Sequence, residues 1–350
     1  MAKWTPRITR RGFLQATVGS LVARAAGAAP QETATPDGQP RIALRTLGKT
    51  GVSVSIMGEG GSTQFFKALP ADPEEAEAAA IELLTTAAEG GITYFDTAHS
   101  YSRRGSPQGW SEILYGKALR PWREQVFIAT KTGRRDRDGV LRELETSLER
   151  LGTEYVDLLQ LHSITAKDDP TAINGKTGAF QALRELKEQK LIRFAGITGH
   201  STAPHMKRCV DAFDGLDCAL FPINAATDQR DQRAFKPEPE NPDGHFETIL
   251  LPHCVEKGIG VIAMKSTAQG YLIGEPPEKA DAHSLFRYAM GTEGVTTTII
   301  GPGSLENLKS NLKMAQDFEP MSKAERDALV AQLVGSYERL AYLRPGYEDA

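Results

Sequence analysis

The sequence predicts a (β/α)8 TIM barrel, the α/β fold in which eight parallel strands alternate with helices around a closed sheet. Eight short β-rich runs follow one another from about residue 42, and their starts lie 25 to 41 residues apart. That spacing leaves room for a helix and two loops each time. Most runs are continuously apolar, as expected of parallel strands buried on both faces. The predicted strands are Val52–Met57, Ile92–Phe95, Val126–Thr130, Val156–Leu161, Phe194–Thr198, Ala219–Phe221, Gly260–Met264 and Thr296–Ile300.

The segments between these runs carry helix signals. Asp72 followed by Pro73 is typical of an N-cap and a first helical residue. The apolar residues between 140 and 151 repeat with the helical period, and Gly152 ends that helix. An open doubly wound sheet is the alternative fold. It would need a phosphate-binding glycine loop after the first strand, and residues 58–61 do not match G-x-G-x-x-G.

Composition excludes several classes of protein. A net charge of -4 over 350 residues gives no general attraction for nucleic acid or anionic lipid. The three cysteines, Cys209, Cys218 and Cys254, form no C-x-x-C pair, so zinc and iron–sulfur sites lack their usual ligand spacing. We therefore expect no metal, and we expect the cysteines to be small buried hydrophobic residues.

The N-terminus resembles a twin-arginine export signal. Arg10 and Arg11 precede an apolar pair, and an Ala-rich run follows as far as Ala29. The run is too short to span a bilayer. An amphipathic basic helix or a disordered tail is the alternative. We predict a signal over residues 1–29, read by the twin-arginine export machinery, and a periplasmic or otherwise exported mature protein without a membrane segment. If the signal is not used, the protein is cytoplasmic.

The remaining chain is predicted to form one domain. A linker covers residues 30–41, the barrel covers 42–340, and a polar tail covers 341–350. The stretch from Asn224 to His245 is polar and Pro-rich, which predicts a long loop after the sixth strand. In a barrel that side carries the active site, so this loop is a candidate lid or substrate wall.

Four polar residues lie where predicted strands end or just beyond. Asp96 follows the second strand and Tyr101 lies five residues further on, while Lys131 and His162 follow the third and fourth strands. The carboxyl ends of barrel strands meet at one mouth, where barrel enzymes carry out their chemistry. A carboxylate, a phenol, an amine and an imidazole at that mouth indicate a proton-transfer site.

These residues lie in motifs that resemble the aldo-keto reductase family. The segment Gly91–Tyr101, with sequence GITYFDTAHSY, is similar to that family's signature, and LRTLGKTG at residues 44–51 is similar to its opening. The resemblance extends over roughly residues 42 to 337. It implies that Tyr101 protonates a carbonyl oxygen as a hydride arrives. It further implies that Lys131 favours the phenolate, that Asp96 holds Lys131, and that His162 orients the carbonyl.

The resemblance also implies a nicotinamide cofactor, NADP(H) or NAD(H). The chain departs from the family where a Ser-Asn pair and a Gln usually hold the nicotinamide amide, since Gly199 and Leu220 occupy the Asn and Gln positions. We expect those contacts to be missing or to be replaced by Thr198, His200 or Asn224. The remaining predicted cofactor residues are Lys265 after the seventh strand and Gly301, Gly303, Ser304, Asn307 and Asn311 after the eighth.

Three loop aromatics, Phe65, Phe66 and Trp110, are predicted to form an apolar substrate pocket, with packing against the barrel as the alternative. The predicted function is reduction of an aldehyde or ketone, or oxidation of the matching alcohol, with a small-molecule carbonyl compound as the substrate. A non-catalytic cofactor-binding or regulatory protein on the same fold is one alternative, and an unrelated barrel lyase or hydrolase is another.

Overall fold

A computed structural model describes residues 41–200, 203–227, 245–333 and 335–336. Eight parallel strands form a closed barrel with helices outside it, which confirms the predicted fold. The sheet closes because the eighth barrel strand pairs with the first. In chain order, the barrel strands are β3 (Met57–Gly60), β4 (Tyr94–Asp96), β5 (Phe127–Thr132), β6 (Val156–Ile164), β7 (Ile192–Gly199), β8 (Cys218–Pro222), β9 (Gly260–Met264) and β10 (Val295–Ile300).

The first strand differs from its prediction. The run from residue 52 contributes β2 (Ser53–Ser55), which pairs with β1 (Leu44–Thr46) in an antiparallel hairpin. Leu47 and Val54 from this hairpin pack into the cluster of side chains inside the barrel, at the end opposite the predicted site. The barrel itself begins with β3, whose two glycines concealed a strand. Gly58 has to lack a side chain because a Cβ there would press on the Tyr94 ring.

The helices follow the signals in the sequence. Asp72 accepts hydrogen bonds from the first-turn amides of α2, and Gly152 ends α4 in the left-handed conformation with a φ of 62°. The helices are α1 (Thr63–Lys67), α2 (Pro73–Glu89), α3 (Trp110–Leu119), α4 (Arg137–Leu151), α5 (Pro170–Asn174), α6 (Ala179–Glu188), α7 (Ala203–Ala212), α8 (Leu251–Glu256), α9 (Ala282–Met290), α10 (Leu305–Gln316) and α11 (Lys323–Leu333).

The core has two layers. One lies inside the barrel, and a larger one lies between the strands and the surrounding helices. The three cysteines are buried as free thiols, as expected. Within the described ranges, no helix is long and apolar enough to cross a membrane. The predicted export signal, nearly all of the linker, most of the loop after the sixth barrel strand and the C-terminal tail lie outside those ranges.

Candidate active site

The structure brings the four predicted catalytic side chains together at the carboxyl ends of the strands. Asp96 and Lys131 form a salt bridge and are 1% and 2% exposed, so the pair is shielded from water. The Lys131 ammonium also donates to the main-chain oxygen of Thr97 at 2.8 Å. A buried charge pair of this kind is stable only when both partners stay in place.

Tyr101 and His162 complete the group. The Lys131 Nζ atom lies 4.6 Å from the centre of the Tyr101 ring, and the Tyr101 and His162 rings meet edge to face at 5.5 Å between centres. Both side chains are mostly buried, at 6% and 9% exposure. A cation this close to a phenol favours the ionised phenolate and therefore makes the phenol a stronger acid.

Arginines outside the tetrad hold the loops that carry it. Arg150 on α4 donates to the main-chain oxygen of His99 and to Glu112, which joins the loop before Tyr101 to α3. Arg135 donates to the main-chain oxygen of His162 at 2.7 Å and to Asp168 at 2.6 Å. These partners could not be predicted from the sequence, because each lies far from its arginine along the chain.

The backbone near the end of β6 is strained directly after His162. Ser163, directly after His162, has a φ of 51°, which a residue with a side chain adopts at a cost. Its amide donates to the Thr198 hydroxyl at 2.8 Å. Burial opposes the ionisation of Asp168 nearby, but the hydrogen bonds and charge of Arg135 outweigh burial and lower the pKa of that carboxyl.

A cleft of about 540 Å³ begins at Asp96 and Tyr101 and runs between the ends of β3, β9 and β10. Five of the residues predicted to bind cofactor line it: Lys265, Gly301, Gly303, Asn307 and Asn311. Several further lining residues were not predicted, because they come from a strand end, short helices and loops without a strong motif. They are Gly60, Gly61, Gln64, Ser266, Thr267 and His283.

The other three predicted cofactor residues have structural contacts outside this lining. The Ser304 hydroxyl caps α10 by accepting from the amide of Asn307 at 3.0 Å. Thr198 accepts from the Ser163 amide, as described above. Asn224 is buried, and its amide group donates to the main-chain oxygen of Lys265 at 3.1 Å. Asn224 therefore supports the loop that carries Lys265.

Gly199 stands where the family resemblance implies an asparagine, and the Met206 side chain occupies the space that a side chain there would need. A side chain at Gly199 would clash with the Met206 thioether and approach the main-chain oxygen of Ile164 at 3.1 Å. Leu220, at the position of the implied glutamine, is 1% exposed and packs inside the barrel. Neither position offers an amide to a ligand.

The predicted substrate aromatics form a packed cluster. Phe66 and Trp110 stack with 5.8 Å between ring centres, and Phe65 is fully buried against Phe66 and Tyr115. The Arg103 guanidinium lies over the Trp110 ring at 4.6 Å. None of the three lines the 540 Å³ cleft, so their role in substrate binding stays a prediction.

Known proteins resemble this chain in both sequence and structure. The model of the aldo/keto reductase family matches residues 60–285. L-galactose dehydrogenase from Arabidopsis thaliana is 26% identical over 326 residues, which cover 80% of this chain and 90% of that protein. The uncharacterized oxidoreductase YqkF from Bacillus subtilis is 25% identical over 280 residues, covering 67% and 82%.

Two solved structures of aldo-keto reductases also resemble this chain. The thermostable aldo-keto reductase Tm1743, in complex with the inhibitor epalrestat, superimposes with a TM-score of 0.63 at 25% identity, covering 83% of this chain and 99% of that one. The holo form of AKR11C1 from Bacillus halodurans superimposes with a TM-score of 0.62 at 23% identity, covering 83% and 95%, and shows the shared fold. The fold and the site thus define an oxidoreductase on a (β/α)8 barrel. The family model covers well over half of the chain, which belongs to the aldo/keto reductase family.

Proposed function

We propose that this protein reduces an aldehyde or ketone, or oxidises the matching alcohol, with a nicotinamide cofactor and with Tyr101 as the general acid or base. The observation that carries the proposal is the buried Asp96–Lys131 pair directly beside the Tyr101 ring. A phenol has an ordinary pKa of about 10, so it needs a nearby cation to exchange protons near neutral pH.

Each residue of the tetrad has one task in this reaction. A bound nicotinamide supplies or accepts the hydride. Tyr101 donates a proton from its hydroxyl to the carbonyl oxygen during reduction, and it takes the proton back during oxidation. Lys131 stabilises the phenolate that remains, and Asp96 holds Lys131 in place. The His162 imidazole, beside Tyr101, orients the carbonyl oxygen toward the acid.

The cleft fits a dinucleotide in shape and in chemistry. Its lining extends from Asp96 and Tyr101 of the tetrad to the start of α10, whose cap is Ser304. Main-chain N–H groups at a helix start attract phosphate. Lys265 and Gly303, which has a φ of 71°, line the same region. We propose that Lys265 and the residues from 301 to 311 hold NADP(H) or NAD(H) there.

Tyr101→Phe tests the acid directly. The variant keeps the ring and its packing against His162 but loses the proton, so kcat should fall at least tenfold, or by about 1.4 kcal/mol in barrier. The measurement is oxidation of reduced nicotinamide followed by absorbance with a panel of aldehydes and ketones. Fluorescence titration of the same variant should give an unchanged cofactor Kd.

The outcomes separate the alternatives. A variant that keeps more than about a tenth of the wild-type kcat would remove Tyr101 from the role of acid. A wild-type protein that binds nicotinamide but turns over no carbonyl compound would favour the non-catalytic alternative, which the missing amides at Gly199 and Leu220 motivate. A protein that binds no nicotinamide would overturn the proposal altogether.

We further propose that the protein is exported by the twin-arginine route, on the sequence of its first 29 residues. This route permits a protein to fold around a cofactor before it crosses the membrane, as the resemblance to such signals implies.

A further inference from the structure

Glu59 is a buried carboxyl group close to the tetrad that the proposed mechanism does not use. It belongs to β3 and is 0% exposed. Its neighbour Gly58 faces the inside of the barrel, toward the Tyr94 ring, so Glu59 points outward into the layer of helices. There its carboxyl group is hydrogen-bonded to the Tyr115 hydroxyl of α3, whose ring packs against Phe65 and Phe95.

The same hydroxyl connects Glu59 to the tetrad. Tyr115 lies within hydrogen-bond distance, 3.3 Å, of the main-chain oxygen of Asp96, which also accepts from the Gly61 amide at 2.8 Å. The hydroxyl has only one hydrogen to donate. If the Glu59 carboxyl is protonated, it donates to Tyr115, and Tyr115 donates to Asp96. If the carboxyl is ionised, it takes the Tyr115 hydrogen for itself, and Asp96 loses that donor.

We propose that Glu59 is a positioning residue for the carbonyl chemistry: through the Tyr115 hydroxyl, its protonated form fixes the main chain of Asp96 and thereby the Asp96–Lys131 pair beside Tyr101. The inference rests on the proposed function of the tetrad. Glu59 itself touches neither substrate nor cofactor.

The surroundings of Glu59 set the pH at which it changes state. Burial raises its pKa to about 8, and the charge of Asp96 adds to that rise, while the Tyr115 hydrogen bond opposes it. In the described ranges, the titratable groups that act on the Glu59 carboxyl are Tyr115 from α3 and Asp96 from β4. Its neighbour on β10 is Ile300, which carries no charge. Burial followed by the nearby Glu59 charge raises the pKa of Tyr115 well above its ordinary value, so Tyr115 remains a donor.

The raised pKa of Glu59 can be tested first, without cofactor, by measuring how thermal stability depends on pH. A carboxyl whose folded-state pKa is raised contributes stability that is fully present below its unfolded-state pKa and is lost as pH rises through the folded-state value of about 8. Glu59→Gln removes this dependence. Its Tm relative to that of the wild type should therefore rise steadily from pH 5 to pH 8 and then level off. A constant Tm difference across pH 5 to 9 would show that Glu59 titrates as an ordinary carboxyl.

The rate of carbonyl reduction tests the positioning role. Glutamine can donate to Tyr115 as the protonated acid does, so Glu59→Gln should match wild-type kcat at pH 6.5. Above pH 8 the wild type loses the donor to Asp96 and gains a negative charge that weakens Tyr101 as an acid. The variant should then be faster by about two- to tenfold, the worth of one neutral hydrogen bond. A ratio of kcat values that stays flat from pH 6 to pH 10 would overturn the positioning role.

Tyr115→Phe gives a second test that does not depend on the first variant. It removes the link to Asp96 at every pH, so its kcat should be about two- to tenfold below wild type at pH 6.5 and should approach the wild-type value above pH 9. A loss that is equal at both pH values would mean that the hydroxyl only stabilises the fold. KM should stay constant, because neither residue touches the substrate.

Glu112→Gln is the matched control. Glu112 is also a 0% exposed carboxyl at the strand–helix layer, but it pairs with Arg150 and Thr130 rather than with Tyr115. The Glu112→Gln variant should lower Tm, but the ratio of its kcat to the wild-type kcat should stay the same as pH passes through 8. A change in that ratio would overturn the assignment of the pH effect to Glu59. If the Tm difference of Glu59→Gln grows with pH but no carbonyl compound is reduced at any pH, the proposed function fails. The raised pKa of Glu59 then stands without a positioning role.

Discussion

Lys131→Met separates the contribution of the tetrad to stability from its contribution to catalysis. The methionine fills most of the same space but removes the ammonium that pairs with Asp96. Asp96 is 1% exposed, so its carboxylate would remain in the interior without its cation. The main-chain oxygen of Thr97 would also lose a donor at 2.8 Å. Removal of one partner from a buried pair costs about 3–5 kcal/mol.

The expected change in Tm follows from that free energy. For a large domain, each kcal/mol corresponds to roughly 2–4 °C, so Lys131→Met should lower Tm by about 6–20 °C at pH 7. The double variant Asp96→Asn/Lys131→Met carries no orphaned charge and should recover at least half of that loss. Both variants should be inactive, because Tyr101 has lost its cation in each. Calorimetry gives the Tm values, and nicotinamide absorbance gives the rates.

The stability of the double variant tests whether the lost cation causes the drop in Tm. If it is no more stable than Lys131→Met, the cost did not come from a buried carboxylate that has lost its cation. If Lys131→Met alone retains a near-wild-type rate and pH profile, Lys131 does not assist the phenol, and the proposed mechanism fails.

Three further predictions concern other parts of the chain. In fluorescence titration, the preference for NADPH over NADH should be below about a hundredfold, or ~2.7 kcal/mol. The reason is that residues 301–307 contain no Lys or Arg to bind a 2′-phosphate. A larger preference would show that another cation binds it. The double variant Arg10→Lys/Arg11→Lys should accumulate uncleaved in the cytosol while the wild type is exported, and identical fractionation of the two would remove the export proposal. Gly199→Ala should lower stability by about 1–3 kcal/mol in urea unfolding, because its methyl group would clash with Met206, and Met206→Ala should relieve part of that loss.

The closeness of Asp96 and Lys131 could be predicted from the sequence because it follows from strand order. Asp96 and Lys131 follow neighbouring strands, and parallel neighbours bring their carboxyl ends to one edge. No knowledge of side-chain packing was needed. The cap of α10 was predictable for a similar reason, since a serine before a helix contacts an amide only three residues away.

The first barrel strand was not predictable in the same way. Met57–Gly60 contains two glycines and a glutamate, a composition that is typical of a loop. It forms a strand because its neighbours in the barrel supply both sides of the ladder, and because Gly58 makes room for Tyr94. Tertiary contacts override local preference here, and for the same reason the burial of Glu59 was not predicted.

Gly199, where the family resemblance implies an asparagine, shows a further limit of prediction from sequence. Gly199 alone suggested only that one amide contact was absent or was supplied by a neighbour. The structure shows instead that Met206 occupies the space a side chain at residue 199 would need, while Thr198 is engaged with the Ser163 amide. A single substitution at residue 199 therefore cannot restore the contact, because the methionine has to leave as well. The absence of a side-chain amide at residue 199 thus follows from the packing of α7 against β7. A bound cofactor would depend on groups other than the side chains of residues 198 and 199.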